Sequence, residues 1–112
     1  MTARTDIVDA LAKVPDLSPT PAMPETIVAG SAWPSWSSTT WRNPCLTAVE
    51  WFVFVAVPNA DATTTVDAGD AIVEDIATVL WPIGKVTRVE PWRVPVEPGQ
   101  QAVPVVRFTL ET

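Results

Sequence analysis

The sequence predicts a small α+β domain: an antiparallel or mixed β-sheet with two α-helices, in the order α-β-loop-β-α-β-β. Three observations carry this. Apolar residues recur at helical spacing in two short segments, one near each end of the first 80 residues. Between them lies a run dense in Val, Phe and Trp, and after them two strand-like segments flank a Pro-Gly turn signal.

The first helix is expected over residues 6–14, where Ile7, Val8, Leu11 and Val14 form a stripe and Pro15 stops the element. Thr5 or Asp6 is placed to cap its first turn. Residues 15–24 (PDLSPTPAMP) are an extended, stiff connector, because each proline ring fixes a backbone angle. Glu25–Ala29 reads as a short strand ending at Gly30. The stretch SAWPSWSSTTWRNP, rich in Ser, Thr and Pro, reads as an irregular loop pinned to the core by Trp33, Trp36 and Trp41, with at least two of the three rings buried.

Leu46–Val57 is the strongest strand. One parity holds Leu46, Ala48, Glu50, Phe52, Phe54 and Ala56, and the other Thr47, Val49, Trp51, Val53, Val55 and Val57. Both are apolar in the second half, so both sides of the sheet need cover there. The second helix is expected over Asp67–Leu80, with Ile72, Ile76, Val79 and Leu80 on one side, early acids at the positive end of its dipole, Thr65 as cap and Pro82 at its close. Lys85–Glu90 and Trp92–Val96 form one strand bent at Pro91, or two. Pro98-Gly99 turns the chain, and Val103–Glu111 returns with Val106, Phe108 and Leu110 on one face and Arg107, Thr109 and Glu111 on the other. Pro104 suits an edge position. All 112 residues read as one domain: helix 6–14, connector 15–24, and a sheet with its helix over 25–112.

Composition removes much chemistry. With no histidine, Ser-His-Asp and Cys-His nucleophile systems and His-ligated metals are excluded. The single cysteine, Cys45, excludes an internal disulfide or a multi-thiolate site, and reads as a small buried thiol in a reducing compartment. A net charge of −6 has the wrong sign for gripping phosphate backbones or anionic lipid. The longest strongly apolar run, Ala48–Val57, is far short of a membrane span and carries Glu50, and the N-terminus lacks a secretory pattern. The expectation is a protein made in a cytoplasm, with neither nucleic-acid readout nor membrane.

Asn59, Asp61, Thr63 and Asp70 partly echo a calcium loop, but Thr64 stands where that loop needs Gly and Asp70 where it needs Glu. Asp67, Asp70, Glu74 and Asp75 read as a solvated helix face rather than a paired-carboxylate site. No catalytic, metal or cofactor residues are assigned. Glu50, a charge in an apolar strand, either lies at the exposed strand start or pairs with Arg88, Arg93 or Arg107. Those arginines read most simply as edge charges that discourage aggregation, or else as the basic half of a subunit contact.

Taken together, the short helix, the Pro-rich connector, the Trp-bearing stretch (AWPSWSSTTW), the long apolar strand (VEWFVFVAV), the acidic helix (VDAGDAIVEDIATVL) and the terminal hairpin (VTRVEPWRVPV, VPVVRFTLE) resemble the tail terminators, or closely related head-to-tail joining proteins, of long-tailed, siphovirus-type phages of actinobacteria. The resemblance covers nearly the whole chain and lies in element order, size and texture. It implies a non-enzymatic virion subunit, assembled in the host cytoplasm into a homo-oligomeric ring, usually a hexamer. Such a ring sits at the head-proximal end of the tail, caps the tail tube and meets the head-proximal connector protein. Candidate interface residues are Trp33, Trp36, Trp41, Glu50, Arg88, Trp92, Arg93 and Arg107, with contacts expected along the edges of Leu46–Val57 and the Trp92–Glu111 hairpin. The rival from the binding class is a small cytoplasmic adaptor that recognises one protein through the Trp-rich segment.

Overall fold

The computed structural model describes residues 3–15, 17–28, 30–43, 46–56, 72–94 and 103–112. Within them the chain is a small α+β domain with a five-stranded mixed sheet and two helices. Helix α1 spans Ala3–Leu11, and α2 occupies residues 72–80. The strands are β1 (Ser18–Pro19), β2 (Ser31–Asn43), β3 (Leu46–Ala56), β4 (Lys85–Val94) and β5 (Val103–Glu111), in the sheet order β1-β2-β3-β5-β4. Only β1–β2 is a parallel neighbour pair. Both β3 and β4 run antiparallel to β5, so they are parallel to each other with β5 between them.

Helix α1 starts three residues earlier than the apolar spacing predicts, so Thr5 and Asp6 lie inside it rather than at its cap. Its apolar stripe is nonetheless correct: Ile7, Leu11 and Val14 are buried. A tight last turn carries Val14 inward, with the amides of Lys13 and Val14 donating to the carbonyls of Ala10 and Leu11 at 3.1 Å. In α2, Ile76 and Leu80 are fully buried and Ile72, Val73 and Val79 partly so, as the spacing predicts. The expected start at Asp67, the cap Thr65 and the Pro98-Gly99 turn lie outside the described residues.

Two expectations fail in the first half of the chain. Residues 25–28 form no strand. The Val28 amide donates to Ser31 Oγ and the Ser31 amide to the Val28 carbonyl, closing a tight turn, and Gly30 then takes a φ of 90°, where a side chain is disfavoured. The supposed loop after it is β2, the longest strand. Ser, Thr and Pro suggest a loop locally, but β2 pairs with β3 from Ala32↔Val55 to Asn43↔Leu46 with two bulges, and that tertiary pairing overrides composition. Pro34 is tolerated because the strand's even-numbered groups point to the outer edge: the Ala32 carbonyl accepts from Thr20 there and the Pro34 carbonyl from Arg4. Its missing N–H therefore faces no partner strand.

The C-terminal half is closer to expectation. Lys85–Val94 is one strand through Pro91, with a bulge between Val86 and Arg88. Pro91 sits on the outermost strand, where a lost donor is harmless. The last strand matches Val103–Glu111 but lies inside the sheet, not at its edge. Pro104 lies one residue beyond Ala56↔Val105, the last described pair with β3, and is paired with Arg93 of β4.

The main core joins both helices to one sheet face: Ile7, Leu11, Ile76 and Leu80 pack on Trp51, Val53, Val55, Phe108 and Leu110. Arg4 reinforces this side, its guanidinium 5.3 Å from the centre of the Trp51 ring while donating to the carbonyls of Pro21 and Pro34. The indole N–H of Trp51 is buried and has no partner among the described residues. At the exit from α2, Gly84 lies directly against the Glu111 carbonyl, where a Cβ has no room. Gly84→Ala is expected to lower unfolding free energy by about 1–3 kcal/mol, as overpacking does. Urea unfolding checks this, and a wild-type midpoint contradicts the tight approach.

Candidate interaction surface

The sheet face opposite the helices is built by strand parity. It receives Trp33 and Ser35 from β2, Phe52, Phe54 and Ala56 from β3, Arg107 and Thr109 from β5, and Arg88, Glu90, Trp92 and Val94 from β4. Neither described helix packs on it. A second, smaller core forms at one corner, where Ile27 from the segment after the connector packs on Trp33, Ala56, Val94 and Val105. That corner is covered by residues ahead of the Trp-rich segment, and that segment is itself part of the sheet.

Beyond this corner the face is an aromatic and cationic chain. Trp33 stacks on Phe54 with centroids 5.5 Å apart, and Phe54 meets Phe52 edge-on at 6.1 Å. The Arg107 guanidinium is 4.3 Å from the centre of Phe52 and 3.8 Å from that of Trp92. Lodged between two rings and only 13% exposed, Arg107 needs an anion, and Glu90 across the strand pair supplies it. The hydrogen bond from Arg107 holds the Glu90 carboxyl below its usual range against the opposing effect of burial, and the charges of Arg107 and Arg88 act in the same direction as the bond. Arg107 is therefore no edge charge, and its partner is Glu90 rather than Glu50.

Beside this chain a pocket of about 310 Å³ opens between Trp33, Phe54, Trp92, Met23, Ser35 and Arg4. Its walls are mainly apolar, with a guanidinium and a hydroxyl at the margin. The size is at the low end for a ligand cavity, suited to one ring system.

The other notable surface is an arm. The β3–β5 ladder begins at Glu50↔Glu111, with Thr112 and Val49 bonded just beyond it, whereas β2 and β3 stay paired out to Asn43↔Leu46. From Thr40 to Asn43 the arm is two strands wide and reaches roughly 10 Å at 3.3 Å per residue. Trp36, in the body of the sheet ahead of it, and Trp41, on the arm, lie on the face opposite the pocket, 57% and 68% exposed. Trp36 is oriented by its indole N–H, which donates to Thr39 Oγ1 at 3.0 Å. Of the three Trp residues in this segment only Trp33 is buried, contrary to the expectation of at least two.

Of the candidate residues, the fold gathers Trp33, Trp92 and Arg107 into one cluster and leaves Arg88 exposed beside Glu90. Arg93 is exposed on the opposite face, at the free edge of β4. Glu50 is half-buried at the base of the arm and accepts a hydrogen bond from Ser37 Oγ at 3.0 Å, so a hydroxyl rather than an arginine satisfies it. β3 has no free edge between Glu50 and Ala56, so the edge contacts expected of it are unavailable there. Sequence reasoning missed Phe52, Phe54, Met23 and Glu90. The shared parity of Phe52 and Phe54 was a usable signal, but their meeting with Arg107 depends on β5 lying beside β3.

Cys45 and the calcium-like stretch Asn59–Asp70 lie outside the described residues. Glu74 and Asp75 are exposed on α2. Among the described residues, no group of His, Cys, Asp and Glu is placed to hold a metal, and no helix is long and apolar enough to cross a membrane. Compared with known proteins, the chain matches no family model, no curated protein and no solved structure.

Because the Glu90 carboxyl titrates below its unfolded value, the pair's contribution is complete at neutral pH. It fades as the pH falls below the ordinary glutamate value of 4.5 and Glu90 takes up a proton. Glu90→Gln is expected to flatten that acid limb in unfolding measured against pH, and an unchanged limb contradicts the pairing. Arg107→Lys, which keeps the charge and loses the planar stack, is expected to cost about 1 kcal/mol at pH 7.

Proposed function

We propose that this chain is a virion structural and assembly protein, a ring-forming tail terminator that caps a phage tail tube and joins it to the head connector. It works by shape and self-association, with no reaction catalysed. The whole-chain element order supports this reading. The observation that carries it is the amount of exposed aromatic surface: Trp36, Trp41, Trp81 and Trp92 are exposed on a 112-residue chain that also presents an aromatic sheet face. Exposed indoles gathered on an arm and beside a pocket are the usual anchors of protein contacts. The proposed partners are other copies of the chain in a hexameric ring, the tail tube protein on one side and the head-proximal connector protein on the other. Its place is the virion, at the head-proximal end of the tail, after assembly in the host cytoplasm. Other head-to-tail connector roles share this build.

A second reading follows from the exposure of Trp36 and Trp41: a small adaptor that grips one unrelated protein through the arm. Trp36→Ala leaves the fold intact under both readings. With 57% of the residue exposed, its cost is expected to stay near 1 kcal/mol rather than the roughly 3–5 of a core tryptophan. The deciding experiment is electron microscopy of the purified protein, alone and mixed with tail tubes. The ring reading expects rings of one diameter and tubes capped at one end that stop lengthening. A monomer at every concentration, with tubes left open, contradicts it.

A further inference from the structure

We propose that Trp41, near the tip of the arm, inserts into the aromatic pocket of the next copy, so that assembly is head-to-tail. The inference rests on the ring reading and names the residues through which one copy holds another.

The arm and the pocket are complementary features of one chain. Trp41 is the indole on the arm and is 68% exposed. Trp36 is tied to Thr39 and faces Trp51 within the body of the sheet. Trp81, exposed past the end of α2, is not on the strand pair, so Trp41 is the indole that the arm carries. The pocket of about 310 Å³ has room for one indole. Its walls offer ring faces from Trp33, Phe54 and Trp92, a thioether from Met23, the guanidinium of Arg4 for the ring face, and the Ser35 hydroxyl as an acceptor for an indole N–H.

Insertion within one chain is impossible. Ser35 on the pocket wall and Trp41 belong to the same strand, about 20 Å apart at 3.3 Å per residue, and they project from opposite faces of the sheet. An arm that fills the pocket therefore belongs to another copy. A projection on one side that fits a recess on another makes a heterologous contact, which yields a closed ring when the rotation closes and a filament when it does not. The arm itself favours such an occupant. A two-stranded ribbon is marginal alone, and seating its indole in a neighbour buries about 150–250 Å² of aromatic surface that is otherwise wet.

The free edges fit the same scheme. β4, one outer strand, carries Lys85, Arg88, Glu90, Pro91 and Arg93, residues that resist strand-to-strand pairing. That edge is defended, and the ring and pocket surfaces are left to do the joining.

The test is a mixing experiment read by native mass spectrometry, with three proteins: wild type, Trp41→Ala, and Ala22→Trp, which places an indole at the pocket from exposed Ala22 on its rim. Circular dichroism confirms that each is folded, and Met23→Glu, a carboxylate at the pocket mouth, replaces Ala22→Trp should that variant misfold. The expected result is a higher oligomer for wild type and monomers for each variant alone. An equal mixture of the two variants stops at a heterodimer, since one protein supplies the only intact arm and the other the only open pocket. Wild-type-sized oligomers from Trp41→Ala, or from the pocket-blocked variant, overturn the insertion while leaving the ring reading intact. So do monomeric variants that fail to pair on mixing. A monomeric wild type at every concentration overturns the ring reading, and the insertion with it.

Discussion

A strand that is apolar on both sides must be covered twice, and the architecture of this chain follows from that requirement. β3 sends Trp51, Val53 and Val55 to one side and Phe52, Phe54 and Ala56 to the other. Two helices of nine residues each, as described, roof only the first side. Phe108 and Leu110 on the neighbouring strand join that side because β5 pairs with β3 in a register that brings like faces together. Fully burying each such side chain is worth about 1.5–3 kcal/mol, so this cluster is where most of the apolar gain is concentrated.

The second side is handled differently. A proline-stiffened connector loses less backbone entropy on ordering than an ordinary loop, and it delivers Ile27 to one corner of the face. Past that corner none of the described helices covers the sheet, and the sequence places a cation there instead of another apolar residue. Arg107 spreads its charge over the faces of Phe52 and Trp92 and takes its counter-ion from Glu90. A planar, weakly hydrated guanidinium tolerates that position where a lysine ammonium would not. The result is an aromatic face closed at one end and open at the other, with the pocket at the boundary.

What the sequence disclosed, and what it hid, follows from range. The burial stripes of both helices, the limits of β5 and the parity of β3 are local periodicities, and each was readable from spacing alone. β2 was hidden because its Ser, Thr and Pro residues carry loop chemistry, while its strand state comes from ten residues of β3 lying beside it. Glu25–Ala29 misled in the opposite sense: Ile27 and Val28 have strand character, but a turn closed by Ser31 and a positive φ at Gly30 cut the segment short. The surface residues divide the same way. The indole of Trp41 is exposed where the arm outruns the rest of the sheet, and the Arg107 clamp exists because β5 inserts between β3 and β4. Both depend on strand order, which periodicity does not contain.

The central claim is that the aromatic surface left open by one chain is closed by another. Oxidative footprinting of the individual tryptophans across a concentration series tests it most directly, because Trp33 and Trp51, buried within the chain, serve as internal references. The account predicts that Trp41 and Trp92 become as protected as those two wherever the protein assembles. Indoles at both positions that react as freely as their exposure in the isolated chain allows, at every concentration, would contradict it.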